Sequence, residues 1–494
     1  MMLEITRPCA ERRRSIPGLA GLGARLRLGA IVLAAIPLTA CAWFSPDSGM
    51  GTVAGITGEA IRKDVVAIRS EEDAAFARAR VEQLLRRPLT VEAAVQIALL
   101  SNSGLQAAYN ELSLAEADMV EASLPPNPTF SISRIAGSNA FEYESQVIAD
   151  ILALATLPAR SEIAAKGFHA AQLRAVEETL RLAADVRRAY YNAVAWRELI
   201  DLLAEWKTTA DAAAQVAVKL GETGSLSKLD QARELGFYTE TTVDLATVRQ
   251  EASSARERLI GLLGLWGSDL DFRLPSRLPP LPVRPQTLPG IEVEAIARRV
   301  DLQIGRVELA WLAQSYGLTR ATRFINMFEA AGITKKAKEP EGAPFRMNGA
   351  AVQFQIPIFD FGEVRVQQAE QTYMHAVNRL AEKAVIARSQ ARNAYRVYRS
   401  TYDIAGYYQR EVLPIRKIIT EETQLRFSAI QIDVFALLIE ARQRLAVLRA
   451  AIEAKRAFWL AKADLQAAII GGGVAEKGSG GSGSSTGARG TTAD

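Results

Sequence analysis

The chain has 494 residues, 49% of them hydrophobic and 23% charged, which is room for two or three domains. Its net charge of +4 sits in residues 1–40, with six Arg and two acidic groups; the remainder carries 53 basic and 53 acidic residues, so nothing in the balance points to nucleic acid. No run reaches the roughly 18 apolar residues of a membrane-spanning helix, which excludes an inner-membrane pump. Two cysteines, Cys9 and Cys41, and two histidines, His169 and His375, cannot build a disulfide framework or a Cys/His zinc cluster.

Arg12, Arg13, Arg14, Arg25 and Arg27 precede an apolar run from Leu28 to Leu38, about the length of a signal-peptide core. The run ends in Leu38-Thr39-Ala40-Cys41, which resembles the bacterial lipoprotein lipobox. Residues 1–40 are read on that basis as a lipoprotein signal peptide, with Cys41 as the acylated first residue of the mature chain. Ala42 in the next position, rather than Asp, points by the same resemblance to the outer membrane.

Residues 41–88 read as an irregular N-terminal arm, Gly-rich at first, with a helical piece near Glu71 to Arg86. Helical periodicity then dominates. It is interrupted by Leu124-Pro125-Pro126-Asn127-Pro128 and by residues 274–290, a linker with six prolines. The linker separates two repeating halves, residues 89–273 and 291–470. Leu105-Gln106 recurs as Leu302-Gln303, each pair opening a helix that leads into two β-like segments. Those segments end at Leu157-Pro158 and Ile356-Pro357, each followed by an N-cap candidate, Ser161 or Asp360.

Very long helices follow, predicted over Ser161 to Leu220 and Asp360 to Phe427. A 60-residue helix is about 90 Å long and must be packed along its length, as in coiled coils. Sixteen alanines between residues 160 and 220 let neighbouring backbones approach. Pro414 is expected to kink or end the second long helix. Each long helix reverses, through Gly221 to Ser227 and Ser428 to Asp433, into a return helix. Residues 471–494, rich in Gly, Ser and Thr, read as a flexible tail.

The β-like segments are Thr129–Ile135, Phe141–Ile148, Phe324–Ile333 and Phe345–Ile356. Phe141, Tyr143 and Val147 alternate with Glu142, Glu144 and Gln146; Val352, Phe354 and Ile356 alternate with Gln353 and Gln355. The phase slips at Gly349-Ala350-Ala351, where a bulge would fit. Alternation over about ten residues is the signature of membrane-barrel strands, and the competing reading is a pair of hairpins on a soluble sheet. Four strands cannot close, and an open edge cannot face hydrocarbon, so membrane insertion would require several chains to pool their strands. Three would give twelve.

This order resembles the TolC-type outer-membrane efflux protein family, in its lipoprotein branch, over nearly the whole mature chain. The local matches are Leu89 to Leu99, Leu124-Pro125-Pro126-Asn127-Pro128-Thr129-Phe130 and Ile356-Pro357-Ile358-Phe359-Asp360-Phe361-Gly362. Two departures stand out: Thr322-Arg323-Phe324 replaces a Leu-Pro-Asn segment, and the tip at Ala429 lacks a Gly. The resemblance implies a mainly α chain with membrane β structure. A long helical coiled-coil barrel would carry four strands per chain in a trimeric twelve-stranded barrel. It also implies a homotrimer in the outer membrane, docked to a periplasmic adaptor and an inner-membrane pump.

Catalysis finds no support. There is no metalloprotease, P-loop or dinucleotide-binding pattern; Gly483 to Gly487 matches a nucleophile elbow in letters alone; Met374-His375 is too few ligands for a metal. No cofactor is expected. The leading function is a passive exit duct, and the alternative is a lipid-anchored periplasmic adaptor or coiled-coil scaffold. The tips, at Gly224, Ser225 and Leu226 and at Ala429 and Ile430, are the candidate adaptor contacts. Asp433, and after it Asp230, are the candidate pore constriction, because one axial carboxylate per chain makes a ring that favours cations. Either Asp also fits a helix cap.

Overall fold

The computed structural model describes residues 44–471, Asn139 apart, and Gly473. Cys41, residues 1–40 read as a signal peptide and the residues beyond Gly473 read as a tail lie outside the described residues. The chain from Phe44 onward clusters as its own unit.

The first half runs α1 (Met50–Ile61), α2 (Glu71–Leu85), α3 (Val91–Ser101), α4 (Ser103–Ser123), β1 (Thr129–Ala136), β2 (Phe141–Asp150), α5 (Ile151–Glu222) and α6 (Lys228–Leu263). The second runs α7 (Ile291–Arg298), α8 (Val300–Ala321), β3 (Met327–Lys338), β4 (Phe345–Gln355), α9 (Glu363–Tyr407), a π segment (Tyr408–Val412), α10 (Leu413–Ser428) and α11 (Val434–Ile470). Among the described residues no helix is long and apolar enough to cross a membrane.

The repeat is visible in backbone geometry. Asn102 and Arg299, 197 residues apart, both leave the helical region, with φ/ψ of −74/111 and −63/123, and each splits a helix pair. Asn102 accepts from Leu105 N through its side chain, whereas the Arg299 guanidinium is held by the Asp301 carboxylate. The offset has grown to 204 at the first residues of β2 and β4, Phe141 and Phe345.

Three local expectations are corrected. The arm is not irregular over residues 50–61: α1 forms despite its glycines because Met50, Val53, Thr57 and Ile61 fall on one buried face, packed on α5. The first long helix starts ten residues earlier than Ser161. Asp150, the last residue of β2, accepts from Ala153 N at 2.8 Å as the N-cap, and α5 continues through Pro158. Ser161 lies inside the helix and meets Ser123 Oγ at 2.9 Å. The second long helix starts after Gly362, at φ 72, instead of at Asp360; a Cβ on Gly362 would collide with the Arg323 carbonyl. Pro414 does disturb its helix. The π segment ends two residues before it, widening the turn that holds Arg410, whose carbonyl the proline ring would otherwise strike.

The core lies where α3, α5, α8, α9 and α11 meet the linker. Ala94 to Leu100 of α3 are buried without a gap, against small residues of α5 such as Ala183 and Val186. Tyr191 stacks on Trp459 at 5.0 Å, and Phe458 links Trp459 to Tyr398 and Tyr402. The proline-rich linker is strapped onto this cluster. Trp459 Nε1 donates to Pro279 O at 3.1 Å and Lys455 Nζ to Leu278 O at 2.7 Å. Leu278 N donates to Glu198 Oε2 at 2.8 Å. A segment with few backbone donors thus has its carbonyls satisfied by side chains.

The strands form one antiparallel sheet in the order β1-β2-β3-β4. β2 and β3 join the halves, with Phe141 opposite Lys338 and Asp150 opposite Glu329. Every register is continuous, including Met327 opposite Gln355 through Ala337 opposite Phe345. The expected bulge at Gly349 is absent, and β3 starts at Met327 rather than Phe324.

Candidate functional site

Continuous registers assign each strand residue to a face. One face carries Phe130 and Ile132, Val147 and Ala149, Phe328 and Ala330, and Val352 and Phe354. The other carries Glu142, Glu144, Gln146, Asp150, Glu329, Gln353 and Gln355. On β2 and β3 the acidic face is the less exposed one, as the inside of a curved sheet is. Lys335 on this face pairs with Glu142 at 2.5 Å. Within the chain, β1 and β4 are edges, their outer backbone groups unpaired by another strand.

From the sheet α5 runs 72 residues to the first tip, about 108 Å at 1.5 Å per residue. Both tips share one hydrogen-bond pattern at an offset of 206. Thr223 N donates to Lys219 O, Gly224 N to Gly221 O and Ser225 N to Leu220 O; Ala429 N donates to Leu425 O, Ile430 N to Phe427 O and Gln431 N to Arg426 O. This is a Schellman reversal, with Gly224 at φ 72 and Ile430 at φ 58 in the left-handed position. Gly224, Ser225, Ala429 and Ile430 are exposed, Ile430 by 92%. Leu226 turns inward and, with Leu220, Val434 and Phe435, lines an apolar cavity of about 200 Å³ that brings the two tips together.

The two constriction candidates occupy helix starts. Asp433 Oδ1 accepts from Ala436 N at 2.9 Å as the N-cap of α11. Asp230 lies in the first turn of α6, accepting from Ser227 Oγ at 2.7 Å and Arg233 Nη1 at 3.0 Å. Asp433 is exposed and Asp230 half-buried.

Sequence reading missed two buried acids on the return helices. Glu234 and Glu440, again 206 apart, each lie seven residues past an N-cap, Ser227 or Asp433, and are 4% and 6% exposed. Arg416 Nη1 and Thr420 Oγ1 donate to Glu440 within one hairpin, at 2.8 and 3.0 Å. Glu234 accepts from Arg442 Nη2 at 3.1 Å across the hairpins, and Arg442 lies over the Phe237 ring. Aligning the tips at an offset of 206 would have exposed both. Among the described residues no group of three His, Cys, Asp or Glu side chains could hold a metal; His375 and Met374 are neighbours on α9.

No family model matches the chain. It is 25% identical over 289 residues to the cobalt-zinc-cadmium resistance protein CzcC of Cupriavidus metallidurans, an alignment covering 55% of this chain and 64% of that protein. The chain thus spans less than two thirds of that relative's length. Its structure is similar to the CmeC outer membrane channel of Campylobacter jejuni, with a TM-score of 0.66 at 15% identity over 78% of this chain and 87% of that one. It is also similar to CusC, described with transmembrane channel formation, with a TM-score of 0.63 at 18% identity over 77% and 91%. For the open state of the MtrE outer membrane channel of Neisseria gonorrhoeae the TM-score is 0.61 at 17% identity over 77% and 89%. Two repeats of helix pair, strand hairpin, long helix and return helix, matched over most of these channels, give this chain the TolC-type outer-membrane factor fold.

Proposed function

We propose that the chain is the outer-membrane exit duct of a tripartite efflux system. It passively conducts cargo delivered by an inner-membrane pump and a periplasmic adaptor. The observation that carries this reading is the sheet: four strands with one apolar and one acidic face, open at both edges, joined to helices that reach about 100 Å away. An edge strand cannot face hydrocarbon unpaired, so β1 of one chain pairs with β4 of the next in a homotrimer, closing twelve strands. The acidic face then lines a water-filled lumen and the apolar face meets lipid. In this reading Cys41 carries the lipid anchor, and the exposed tip residues Gly224, Ser225, Ala429 and Ile430 meet the adaptor, with Leu226 supporting them from within. The relative's name makes divalent metal ions the first cargo to test.

The duct reading is tested by isolating outer-membrane fractions and looking for a heat-modifiable, SDS-resistant trimer that conducts ions in planar bilayers. A monomer that floats with no membrane, or a trimer without conductance, overturns it. Cys41→Ser should abolish labelling by palmitate while leaving the trimer. Replacing Ser225 and Ala429 by Trp should lower export with trimer and conductance intact; normal export removes the adaptor contact.

A further inference from the structure

The continuous register of β4 places Arg346 on the face that carries Phe354 and Val352, and sets Phe345 and Met347 on the acidic face. Arg346 stands opposite Lys336, which stands opposite Tyr143, which stands opposite Arg134. One row across all four strands thus reads Arg-Tyr-Lys-Arg on the apolar face. One row nearer the loops, Lys338 stands opposite Phe141. No Asp or Glu occupies this face of the four strands; Glu142, Glu144, Asp150 and Glu329 are all on the other.

Such a row is unfavourable by itself. Cations directly opposite one another repel, and a charge on the lipid face of a barrel is costly except near an interface. The position answers the second point. Arg346 is eight residues from Phe354, about 27 Å along a strand and roughly 21 Å of depth at a 40° tilt, close to the height of a barrel's apolar band. Tyr143 and Phe141 beside the cations fit the aromatic girdle at that boundary. The first point calls for an anion supplied from outside.

We propose that Arg134, Lys336 and Arg346, with Lys338, bind the phosphate groups of phosphorylated glycolipids in the outer leaflet, the rows of three chains forming a belt around the barrel. This rests on the duct reading, which places the turn ends of the strands at the outer surface. The chemistry is that of a lipid head group with two or more phosphates, because cations spaced along one row match several fixed anions and not one diffusing ion.

The test uses the purified full-length trimer. Native mass spectrometry would compare bis-phosphorylated lipid A with its dephosphorylated form, with inorganic phosphate as competitor. Wild type should retain the phosphorylated lipid preferentially. The variants Arg134→Gln, Lys336→Gln and Arg346→Gln should each weaken it about fivefold, and all three together roughly a hundredfold. Lys335→Gln, on the opposite face, should change nothing. Equal retention by the triple variant, equal retention of the dephosphorylated lipid, or ready displacement by inorganic phosphate would each overturn the proposal. The SDS-resistant trimer is scored on the same samples: its absence in wild type indicts the duct reading, and its presence with indifferent lipid binding indicts the belt alone.

Discussion

Arg442 on one return helix reaches the buried carboxylate of Glu234 on the other, 3.1 Å from Nη2 to Oε1. Glu234 is nearly inaccessible, and its Oε2 has no partner among the described residues, so its carboxylate depends on Arg442, whose Nη2 also donates to Arg233 O at 3.1 Å across the hairpins. Removing the arginine alone strands a buried charge. Arg442→Leu should cost about 3 kcal/mol of stability, and Glu234→Leu in the same chain should recover most of it. Thermal melts followed by far-UV circular dichroism in detergent give the double-mutant cycle. Additive losses would show that the two side chains do not act as a pair.

Ile430 occupies a backbone conformation that suits glycine, the one its counterpart Gly224 has in the other tip. A β-branched side chain there costs on the order of 1–2 kcal/mol, partly offset by the greater freedom of glycine in the unfolded chain. Ile430→Gly should stabilise the tip by about 1 kcal/mol, and Gly224→Ile should destabilise it by at least as much. Hydrogen exchange at the amides of Ala429 to Gln431 reads the local effect. An exchange rate that rises in Ile430→Gly contradicts the strain.

Asp433 separates capping from gating through two substitutions. Asparagine caps as well as aspartate but carries no charge; alanine lacks both the cap and the charge, and losing the cap costs about 1 kcal/mol. If a ring of Asp433 carboxylates constricts the pore, Asp433→Asn should lose cation preference in single-channel recordings at unchanged stability. Unchanged selectivity in Asp433→Asn, with destabilisation confined to Asp433→Ala, would leave Asp433 as a cap alone.

Burial pushes the carboxyl of Glu177 on α5 upward, and the nearby Asp301 carboxylate adds to it against the pull of Lys383. A raised folded value means that the folded state favours the protonated form. Its contribution is full below the unfolded value near 4.5 and is lost as pH rises through the folded value. At neutral pH the charge is therefore a cost, and Glu177→Gln should melt higher than wild type. The gap should close as pH falls toward 4.5 and below. A gap that is constant with pH would place the effect in packing.

The sequence by itself determined the order of elements, the two repeats and the chemistry of the turns. Those signals are local: Asp433 caps because it stands just before a helix, and Gly224 reverses the chain because it tolerates positive φ. The tertiary structure decided what depends on partners far along the chain. Met50–Ile61 is helical because α5 offers its apolar face a surface, which outweighs three glycines. Asp150, not Ser161, begins the long helix because β2 delivers the chain there and packing carries Pro158. The pairing of Glu234 with Arg442 joins residues 208 apart. The cationic row is the clearest case. From sequence alone the phase slip at Gly349 fits a bulge. Hydrogen bonding along the whole of β3 keeps the register instead, and a side-chain period of two then puts Arg346 beside Lys336 on the apolar face.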